Sequence, residues 1–359
     1  MSVTIRRLRQ YDTSGRAMLG QSGLYLITDD KTVGYLSGYR TEDAFVVFDD
    51  DKKLFFIDSR YYFAVKKALP SGWQAVLGSQ KEAFEYIASR GKTLFVDYRY
   101  TSLSTYERLK NLGVEVSDFS AEITAMMIVK TDKEIAYIKK ACAIAEKAFK
   151  NTVKTLKVGV TESEVAAYLE AEFKRLGASG TSFDTIVAFG ANSAVPHHQA
   201  GSKKLEKNTV VLMDFGCRYK GYCSDMTRTF FFGKPTKEFT AAYKSVLKAH
   251  LAAFNGITDG MTGLEADKIA RDSLCADGFG KYFTHSLGHG IGVNIHEAPT
   301  LSPKGTVPLK NGMVFSIEPG VYLDGKFGIR IEDTTYLENG KVVTCMKVTK
   351  NLKTISTID

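Results

Sequence analysis

The second two-thirds of the sequence run through one order of elements twice, with matching residues about a hundred positions apart. In each repeat a long helical stretch is followed by a shorter one that begins at a threonine with a glutamate three residues later, at Thr161 and at Thr262. This spacing is the capping box of a helix N-terminus. Histidines follow, and after them come two β-like segments that carry carboxylates. We expect a duplicated α/β unit whose two carboxylate hairpins face each other about a pseudo-two-fold axis.

The carboxylates occupy corresponding positions in the two repeats. Asp214 ends "VVLMD" and Asp225 lies in "GYCSDMTRTFFF", while Glu318 ends "FSIE" and Glu332 lies in "GIRIED", 104 and 107 residues further along. An acidic group after such an apolar run is costly to bury unless it is hydrogen-bonded, paired or bound to a metal. The pattern therefore needs a compensating partner in both repeats.

Each carboxylate, taken singly, has an ordinary explanation. Asp214 could cap a turn at the end of a strand, Glu318 could pair with Arg330, and Asp225 could pair with Arg228. The recurrence of acidic groups at matched places, together with a glycine-flanked histidine in "GHG", favours a metal site instead.

The donor types indicate the metal and the chemistry. Four carboxylates and one imidazole, without a thiolate, form a hard anionic set suited to Mn²⁺, with Co²⁺, Fe²⁺ or Zn²⁺ as substitutes. Four negative charges exceed what one divalent ion needs, so we expect two ions that share bridging carboxylates. Such a pair supplies a hydroxide nucleophile near neutral pH, which implies hydrolysis.

Further histidines lie near the expected site. His285 and His296 flank His289 in "FTHSLGHGIGVNIHEAP", and His197 and His198 are adjacent in the first repeat. An imidazole near a scissile carbonyl can donate to the developing oxyanion or to the leaving group. The sequence leaves open which of His197 and His198 does so.

The first 125 residues are predicted to form a separate small α/β domain. Short β-rich runs such as "GLYLIT" and "KLFFID" alternate with helical stretches such as "SQKEAFEYIASRG". The pattern changes at "VKTDKE", where Thr131 and Glu134 form a capping box ahead of a long amphipathic helix. We place the boundary there, with domains at 1–125 and 126–359.

Composition excludes several classes of protein. The 48 Lys and Arg residues exceed the 40 Asp and Glu residues by 8, but no block of like charges favours nucleic acid as the principal partner. Five scattered cysteines without a C-x-x-C pair indicate neither a disulfide framework nor a thiolate zinc site. No run approaches the roughly 18 apolar residues of a membrane span, and no apolar stretch follows the basic start. We expect a cytoplasmic protein without a membrane partner.

Several segments resemble a known family. "MDFGCRYKGYCSDMTRTF", "HSLGHGIGVNIHEAP", "SIEPGVY" and "GIRIEDT" resemble the pita-bread metallopeptidases, in the Xaa-Pro peptidase branch of prolidases and aminopeptidase P, and the resemblance covers residues 130 to 350. "GYLSGYRTEDAFVVF" and "FFIDSRYYFAV" resemble that branch's creatinase-type N-terminal domain, although "TIRRLRQYDTSGRAML" departs from its usual opening helix. The resemblance implies that this domain contributes to a homodimer and partly walls the active-site entrance.

The resemblance implies a role for each site residue. Asp214 binds one metal ion, His289 and Glu318 bind the other, and Asp225 and Glu332 bridge both. Glu318 also carries the proton between the attacking water and the leaving amine. The positions that the family uses for substrate and supporting contacts are His197, with its neighbour His198, and His285, His296 and Arg330. The full set of five ligands sets the chain apart from metal-free creatinases.

The expected function is hydrolysis of the Xaa-Pro bond at the N-terminus of dipeptides or short peptides. That bond is a tertiary amide without an N–H, so peptidases that grip the N–H handle it poorly. A methionine-aminopeptidase-like activity is the alternative on the same site, and the extra N-terminal domain argues against it. A non-enzymatic pita-bread binding module is a third, and the intact ligand set argues against that.

Overall fold

The computed structural model describes residues 23–49 and 52–355. The chain divides into two compact units between Met127 and Ile128. The segment 4–19, whose sequence departs from the expected opening helix, lies outside the described residues. Within the described part of the chain, no helix is both long enough and apolar enough to cross a membrane.

The first unit is built on a six-stranded sheet with the order β4-β3-β2-β1-β5-β6. Its strands are β1 (Leu24–Ile27), β2 (Phe45–Asp49), β3 (Lys52–Ile57), β4 (Trp73–Leu77), β5 (Leu94–Val96) and β6 (Val116–Asp118). Its helices are α1 (Asp30–Ser37), α2 (Tyr62–Ala68), α3 (Gln80–Arg90), α4 (Leu103–Lys110) and α5 (Ser120–Ile128). The predicted alternation of strands and helices is confirmed: "GLYLIT" contains β1, "KLFFID" covers all of β3 except Lys52, and "SQKEAFEYIASRG" contains α3.

Four long helices support the second unit. They are α6 (Asp132–Val153), α7 (Glu162–Arg175), α8 (Lys237–Gly256) and α9 (Gly263–Ala276). The three predicted capping boxes are confirmed, since the threonine before each of α6, α7 and α9 bonds the third helical residue, whose glutamate bonds back. The predicted apolar face of α6, from Ile135 to Phe149, is buried. These local signals fix where the helices of both repeats begin.

The strands of the second unit follow the helices in each repeat. In the first repeat they are β7 (Gly180–Thr181), β8 (Ile186–Phe189), β9 (Thr209–Phe215), β10 (Cys217–Tyr219), β11 (Tyr222–Cys223) and β12 (Met226–Phe232). In the second repeat they are β13 (Gly288–Gly290), β14 (Glu297–Leu301), β15 (Val314–Ile317), β16 (Gly320–Leu323), β17 (Phe327–Arg330), β18 (Asp333–Glu338), β19 (Lys341–Thr344) and β20 (Thr354–Ile355). The repeated order of helix, helix and strands agrees with the predicted duplication.

Each repeat has a principal sheet with an antiparallel pair near its carboxylates. The sheet β20-β12-β9-β8 pairs β9 with β12, so that Asp214 lies opposite Thr227. The sheet β14-β13-β15-β18-β19 pairs β15 with β18, so that Ser316 lies opposite Thr334. The strands are largely buried, as the apolar runs of the sequence require.

The two repeats meet where β12, of the first repeat, contacts the segment 330–334, of the second. We call the segment 330–334 the seam. The backbone N–H of Glu332 donates to the carbonyl of Thr227 at 3.1 Å. The hydroxyl of Thr334 accepts from the N–H of Asp225 at 3.0 Å and donates to its carbonyl at 2.7 Å. Side-chain hydroxyls therefore join the repeats at a point where no continuous strand ladder crosses from β12 to β18 among the described residues.

Candidate active site

The five predicted ligands come from different elements of the two repeats. Asp214 lies in β9 and Asp225 immediately before β12, while His289 is the middle residue of β13. Glu318 follows β15, and Glu332 lies between β17 and β18. The side chains of Asp225, His289 and Glu332 each offer a ligand atom, and these atoms all lie within 4.8 Å of one another. Strand ends separated by over a hundred residues therefore place three of the five at one point.

The imidazole of His289 is oriented towards the carboxylates. Its Nδ1 lies 3.1 Å from the carbonyl oxygen of Gly290, so Nδ1 carries the proton and Nε2 offers a lone pair. Nε2 lies 3.3 Å from Oε1 of Glu318 and 3.5 Å from Oδ2 of Asp225. Acceptors that face one another in this way require a proton or a cation between them.

The glycines that flank His289 have a steric explanation. A Cβ atom at Gly288 would lie 2.1 Å from the carbonyl oxygen of Ser316, and one at Gly290 would lie 2.2 Å from that of Ala298. Both positions therefore exclude any side chain. The "GHG" run is needed for the close packing of β13 between β14 and β15, in addition to giving the imidazole room.

Two carboxylate oxygens in the cluster are buried without a hydrogen-bond partner among the described residues. They are Oδ1 of Asp214 and Oε1 of Glu332. The second oxygen of each group is occupied, since Arg330 donates to Oδ2 of Asp214 at 2.5 Å and Thr227 donates to Oε2 of Glu332 at 2.6 Å. A buried polar atom without a partner is costly. Bare carboxylate oxygens beside an imidazole lone pair fit a divalent cation.

The electrostatics of the cluster point the same way. Burial, with repulsion from Glu332 and Asp214, raises the pKa of Asp225 well above its usual value. Burial, with repulsion from Glu318 and Asp214, raises the pKa of Glu332. Burial raises the pKa of Glu318 to about 7, although Arg330 and Ser316 act in the opposite direction. Metal ions would relieve this mutual repulsion of buried charges.

The arginines do not make the pairs considered from the sequence. Arg330 pairs with Asp214, at 2.5 Å, rather than with Glu318. Arg228 pairs with Asp333, at 2.7 Å, rather than with Asp225. Both alternative pairings are therefore wrong, because each arginine pairs with an acidic group of the other repeat that was not the expected one.

A tyrosine that the sequence analysis did not single out lies beside His285. The hydroxyl of Tyr322 lies 2.8 Å from Nε2 of His285 and accepts from Arg330 at 2.5 Å. Nδ1 of His285 lies 2.8 Å from the carbonyl oxygen of Ser286, so Nδ1–H donates there and Nε2 accepts from the tyrosine. Burial, with the positive charge of Arg330, lowers the pKa of His285 to about 3. The only sequence signal for Tyr322 was its place in "SIEPGVY".

The adjacent histidines of the first repeat have different surroundings. Nε2 of His198 lies 2.9 Å from Oε2 of Glu162, which is fully buried and also accepts from the N–H of Gly201 at 3.1 Å. His197 is exposed, and a positive charge on its ring would lower the pKa of Glu318 and of His285. The hydrogen bonds of His198 thus place it in a structural network, whereas His197 is close enough to the carboxylate cluster to influence it electrostatically.

His296 lies against His289. The ring centroids of His289 and His296 are 4.3 Å apart in an edge-to-face arrangement. The following residue, Glu297, is held by Lys130, whose Nζ donates to Oε1 at 2.6 Å. The loop that carries His296 is therefore anchored at a buried ion pair.

Comparison with known proteins gives the family. Residues 136–339 match the model of metallopeptidase family M24, and residues 20–129 match that of the creatinase/prolidase N-terminal domain. The uncharacterized peptidase YqhT of Bacillus subtilis (strain 168) is 35% identical over 350 residues, covering 90% of this chain and 94% of the relative.

Solved structures agree over nearly the whole chain. An Xaa-Pro dipeptidase from Bacillus anthracis matches with a TM-score of 0.89 at 34% identity, covering 98% of this chain and 99% of its own. The prolidase from Pyrococcus furiosus matches with a TM-score of 0.86 at 34% identity, covering 91% and 97%. The X-Pro aminopeptidase from Thermotoga maritima MSB8 matches with a TM-score of 0.86 at 33% identity, covering 93% and 97%. The chain therefore belongs to metallopeptidase family M24, with a pita-bread metallopeptidase domain preceded in the sequence by a creatinase-type N-terminal domain.

Proposed function

We propose that this peptidase hydrolyses the Xaa-Pro bond at the N-terminus of dipeptides or short peptides with two divalent metal ions, for which Mn²⁺ suits the donors best. The observation that carries the proposal is the pair of bare, buried oxygens on Asp214 and Glu332, together with the grouping of Glu332 with Asp225 and His289, whose ligand atoms lie within 4.8 Å of one another. The similarity to an Xaa-Pro dipeptidase, a prolidase and an X-Pro aminopeptidase supports the specificity.

The same five residues would hold the ions. In this proposal Asp214 binds one ion, His289 and Glu318 bind the other, and Asp225 and Glu332 bind both. When bound, such ions lower the pKa of a coordinated water and polarise the scissile carbonyl. All four carboxylates and the imidazole are needed, because each repeat alone supplies only part of the set.

Glu318 is the proposed proton carrier. Its carboxylate accepts from the hydroxyl of Ser316 at 2.9 Å, which fixes the orientation of the side chain. Its raised pKa, about 7, suits a group that takes a proton from water and returns it to the proline nitrogen near neutral pH.

The other histidines are assigned to the substrate and its surroundings. His197 and His296 are exposed beside the cluster and can donate to the carbonyl oxygen or the leaving group. His285 acts with Tyr322, since its Nε2 accepts from that hydroxyl. Arg330 supports Asp214, and His198 supports its own loop, residues 189–201, through Glu162.

Hydrolysis of three peptides tests the proposal. Mn²⁺-loaded protein is incubated with Ala-Pro, Ala-Pro-Ala and Met-Ala-Ser, and the free amino acids are measured. Cleavage of Ala-Pro alone indicates a dipeptidase, and cleavage of Ala-Pro-Ala indicates an aminopeptidase. Cleavage of Met-Ala-Ser alone overturns the Xaa-Pro specificity in favour of a methionine-aminopeptidase-like activity, and no cleavage of any of them indicates a binding module.

We also propose that the protein is a cytoplasmic homodimer to which the N-terminal domain contributes. The proposal rests on the match of residues 20–129 to the creatinase/prolidase N-terminal domain. Sedimentation at micromolar concentration tests it, and a monomer would count against it.

A further inference from the structure

Thr227 makes three hydrogen bonds to two residues of the seam, Glu332 and Arg330. Its side chain is fully buried, and its hydroxyl donates to Oε2 of Glu332 at 2.6 Å. The same hydroxyl accepts from Nε of Arg330 at 3.0 Å. Its backbone carbonyl accepts from the N–H of Glu332 at 3.1 Å. One residue of β12 therefore holds both the main chain and the carboxylate of Glu332.

The next residue, Arg228, completes this arrangement from the other side of the strand. The residue is 3% exposed, and its Nη1 donates to the carbonyls of Thr227, at 2.9 Å, and Glu332, at 2.5 Å. Nη2 donates to Oδ1 of Asp333 at 2.7 Å, and the remaining donors reach two carbonyls in the segment 348–349 at 2.9 and 3.2 Å. All five N–H groups of the arginine are thus used to join β12, the seam and the C-terminal segment.

The bonds of Thr227 and Arg228 affect how far apart two of the candidate ligands lie. Asp225, in the first repeat, lies two residues before Thr227, whereas Glu332 belongs to the second repeat. Among the described residues no strand ladder joins β12 to the segment of Glu332, so the spacing of the two carboxylates depends on side-chain bonds. The hydroxyls of Thr334 and Thr229 join backbone atoms of the two repeats nearby, whereas Thr227 and Arg228 bond Glu332 itself. Two buried carboxylates that repel each other need such a restraint.

We propose that Thr227 and Arg228 are positioning residues that hold Glu332 in place beside Asp225 for metal binding. The proposal rests on the proposed function in so far as Glu332 and Asp225 bind the ions. Neither residue is placed in contact with the substrate or with an ion. Their effect is exerted through the carboxylate and the backbone carbonyl of Glu332.

Metal titration of an isosteric variant tests the role of the Thr227 hydroxyl. Thr227→Val keeps the shape of the side chain and removes the hydroxyl, whereas Thr227→Ser keeps the hydroxyl. Removing such an outer partner of a ligand lowers metal affinity about 10- to 100-fold. We expect that loss of Mn²⁺ affinity in calorimetric titrations of metal-free Thr227→Val, with affinity near that of wild type in Thr227→Ser.

The matched control is Thr152→Val. Thr152 is also fully buried, but its hydroxyl donates to the carbonyl of Ala148 within α6. A merely structural loss should lower the unfolding temperature of both metal-free valine variants and leave the Mn²⁺ affinity of both unchanged. Thr227→Ala repeats the test with a smaller side chain if the valine variant does not fold.

Arg228→Lys tests the role of the Arg228 guanidinium, with Arg218→Lys as its control. Like Arg228, Arg218 donates to backbone carbonyls, in its case those of Thr181, Ser182 and Val293, none of which belongs to a candidate ligand. We expect weaker Mn²⁺ binding in Arg228→Lys than in Arg218→Lys.

The outcomes separate this inference from the proposed function. If wild type cleaves Xaa-Pro peptides and both Thr227→Val and Arg228→Lys bind Mn²⁺ as tightly as their controls, the inference is overturned and the function stands. If wild type binds Mn²⁺, the variants bind it more weakly and no Xaa-Pro peptide is cleaved, the inference stands and the function is overturned. A wild-type chain that binds no Mn²⁺ overturns both.

Discussion

Nε2 of His289 and Oε1 of Glu318 lie 3.3 Å apart, and both are acceptors when the carboxylate is ionised. The proton of His289 is on Nδ1, where the carbonyl of Gly290 accepts it. A species that lies between the two acceptors must therefore be a proton on Glu318 or a cation. The pKa of Glu318, raised by burial to about 7, makes the two alternatives competitive near neutral pH.

Replacing Glu318 should separate metal binding from proton transfer. In Glu318→Gln the amide oxygen can still coordinate a cation, but the side chain cannot exchange a proton. General acid–base assistance contributes about 10² to 10⁴ in rate, so we expect a loss of at least that size in kcat, with smaller changes in KM and metal content. Steady-state kinetics at saturating Mn²⁺ and elemental analysis provide the measurements.

The comparison for this variant is His289→Ala. We expect it to lose one metal ion of the pair together with activity, because the proposal assigns metal binding to this imidazole and no proton transfer. If Glu318→Gln keeps a near-normal kcat at saturating Mn²⁺, another group carries the proton, and His285 or His296 would be examined next.

Stabilisation by metal should depend on pH. The folded-state pKa of Glu318 is about 7, above its usual value of 4.5, so between these pH values the folded metal-free protein binds more protons than the unfolded chain. Its stability therefore falls as pH rises through this window. Excess Mn²⁺ replaces the proton and removes the repulsion, so the rise in Tm on adding Mn²⁺ should be larger at pH 7.5 than at pH 5.5.

Thermal unfolding of chelated protein with and without Mn²⁺ measures this difference. Glu318→Gln has no carboxyl to titrate at that position, so its Mn²⁺-induced shift should vary less with pH. Equal shifts of wild type at the two pH values would contradict the prediction.

Removing the metal should abolish hydrolysis. Activity that survives chelation, with no metal detectable by elemental analysis, would contradict the two-metal mechanism itself.

A buried histidine of α8 should contribute to acid stability. His250, in α8, is fully buried, and burial lowers its pKa from 6.5 to about 4 although Asp333 acts in the opposite direction and Lys350 and Arg228 reinforce the shift. Between pH 6.5 and 4 the unfolded chain binds this proton and the folded protein does not, so stability falls on acidification. The loss amounts to about 3 kcal/mol over the window.

Urea unfolding of metal-free wild type and His250→Phe across this pH range checks the prediction. Other groups titrate alike in both proteins, so the difference between their pH profiles isolates His250. We expect a flatter profile in the variant, and parallel profiles would show that the histidine does not contribute.

The ion pair of Lys130 with Glu297 should matter more than an exposed pair. The lysine side chain is 1% exposed and the glutamate 11%, with Nζ and Oε1 2.6 Å apart. Lys130→Met leaves a poorly solvated carboxylate without its cation, at a cost of about 3 to 5 kcal/mol in the free energy of unfolding.

Denaturant titration of this variant and of Lys130→Met/Glu297→Gln provides the test. The double variant should recover part of the loss, because its amide carries no charge. A cost for Lys130→Met below about 1 kcal/mol, the range of exposed pairs, would show that the pair is effectively solvated.

Features with a local signal could be predicted from the sequence. The capping boxes at Thr131, Thr161 and Thr262 depend on residues three positions apart, and all three form. The duplication could be recognised because matching residues recur at nearly constant offsets. Recurrence also directed attention to the acidic residues that end apolar strands.

Features that depend on how the repeats dock could not be predicted. The sequence offered Glu318 as the partner of Arg330, and only the tertiary structure shows that the guanidinium pairs with Asp214. Tyr322 and Thr227 carry no pattern of their own, since a tyrosine or threonine in a buried strand is common. Their roles arise from contacts with residues 37 and 105 positions away, at His285 and Glu332.

The seam also determines when the peptidase comes into existence during synthesis. The bonds between Asp225 and Thr334 span 109 residues of chain. A ribosome that has made the first repeat has therefore produced Asp214 and Asp225 only as ordinary acidic residues, because their counterparts are not yet translated. Chains fold progressively from the N-terminus as they are made. A peptidase whose two repeats must both be present has no means of attacking the nascent polypeptides around it, its own included, before the segment that carries Glu332 has been translated.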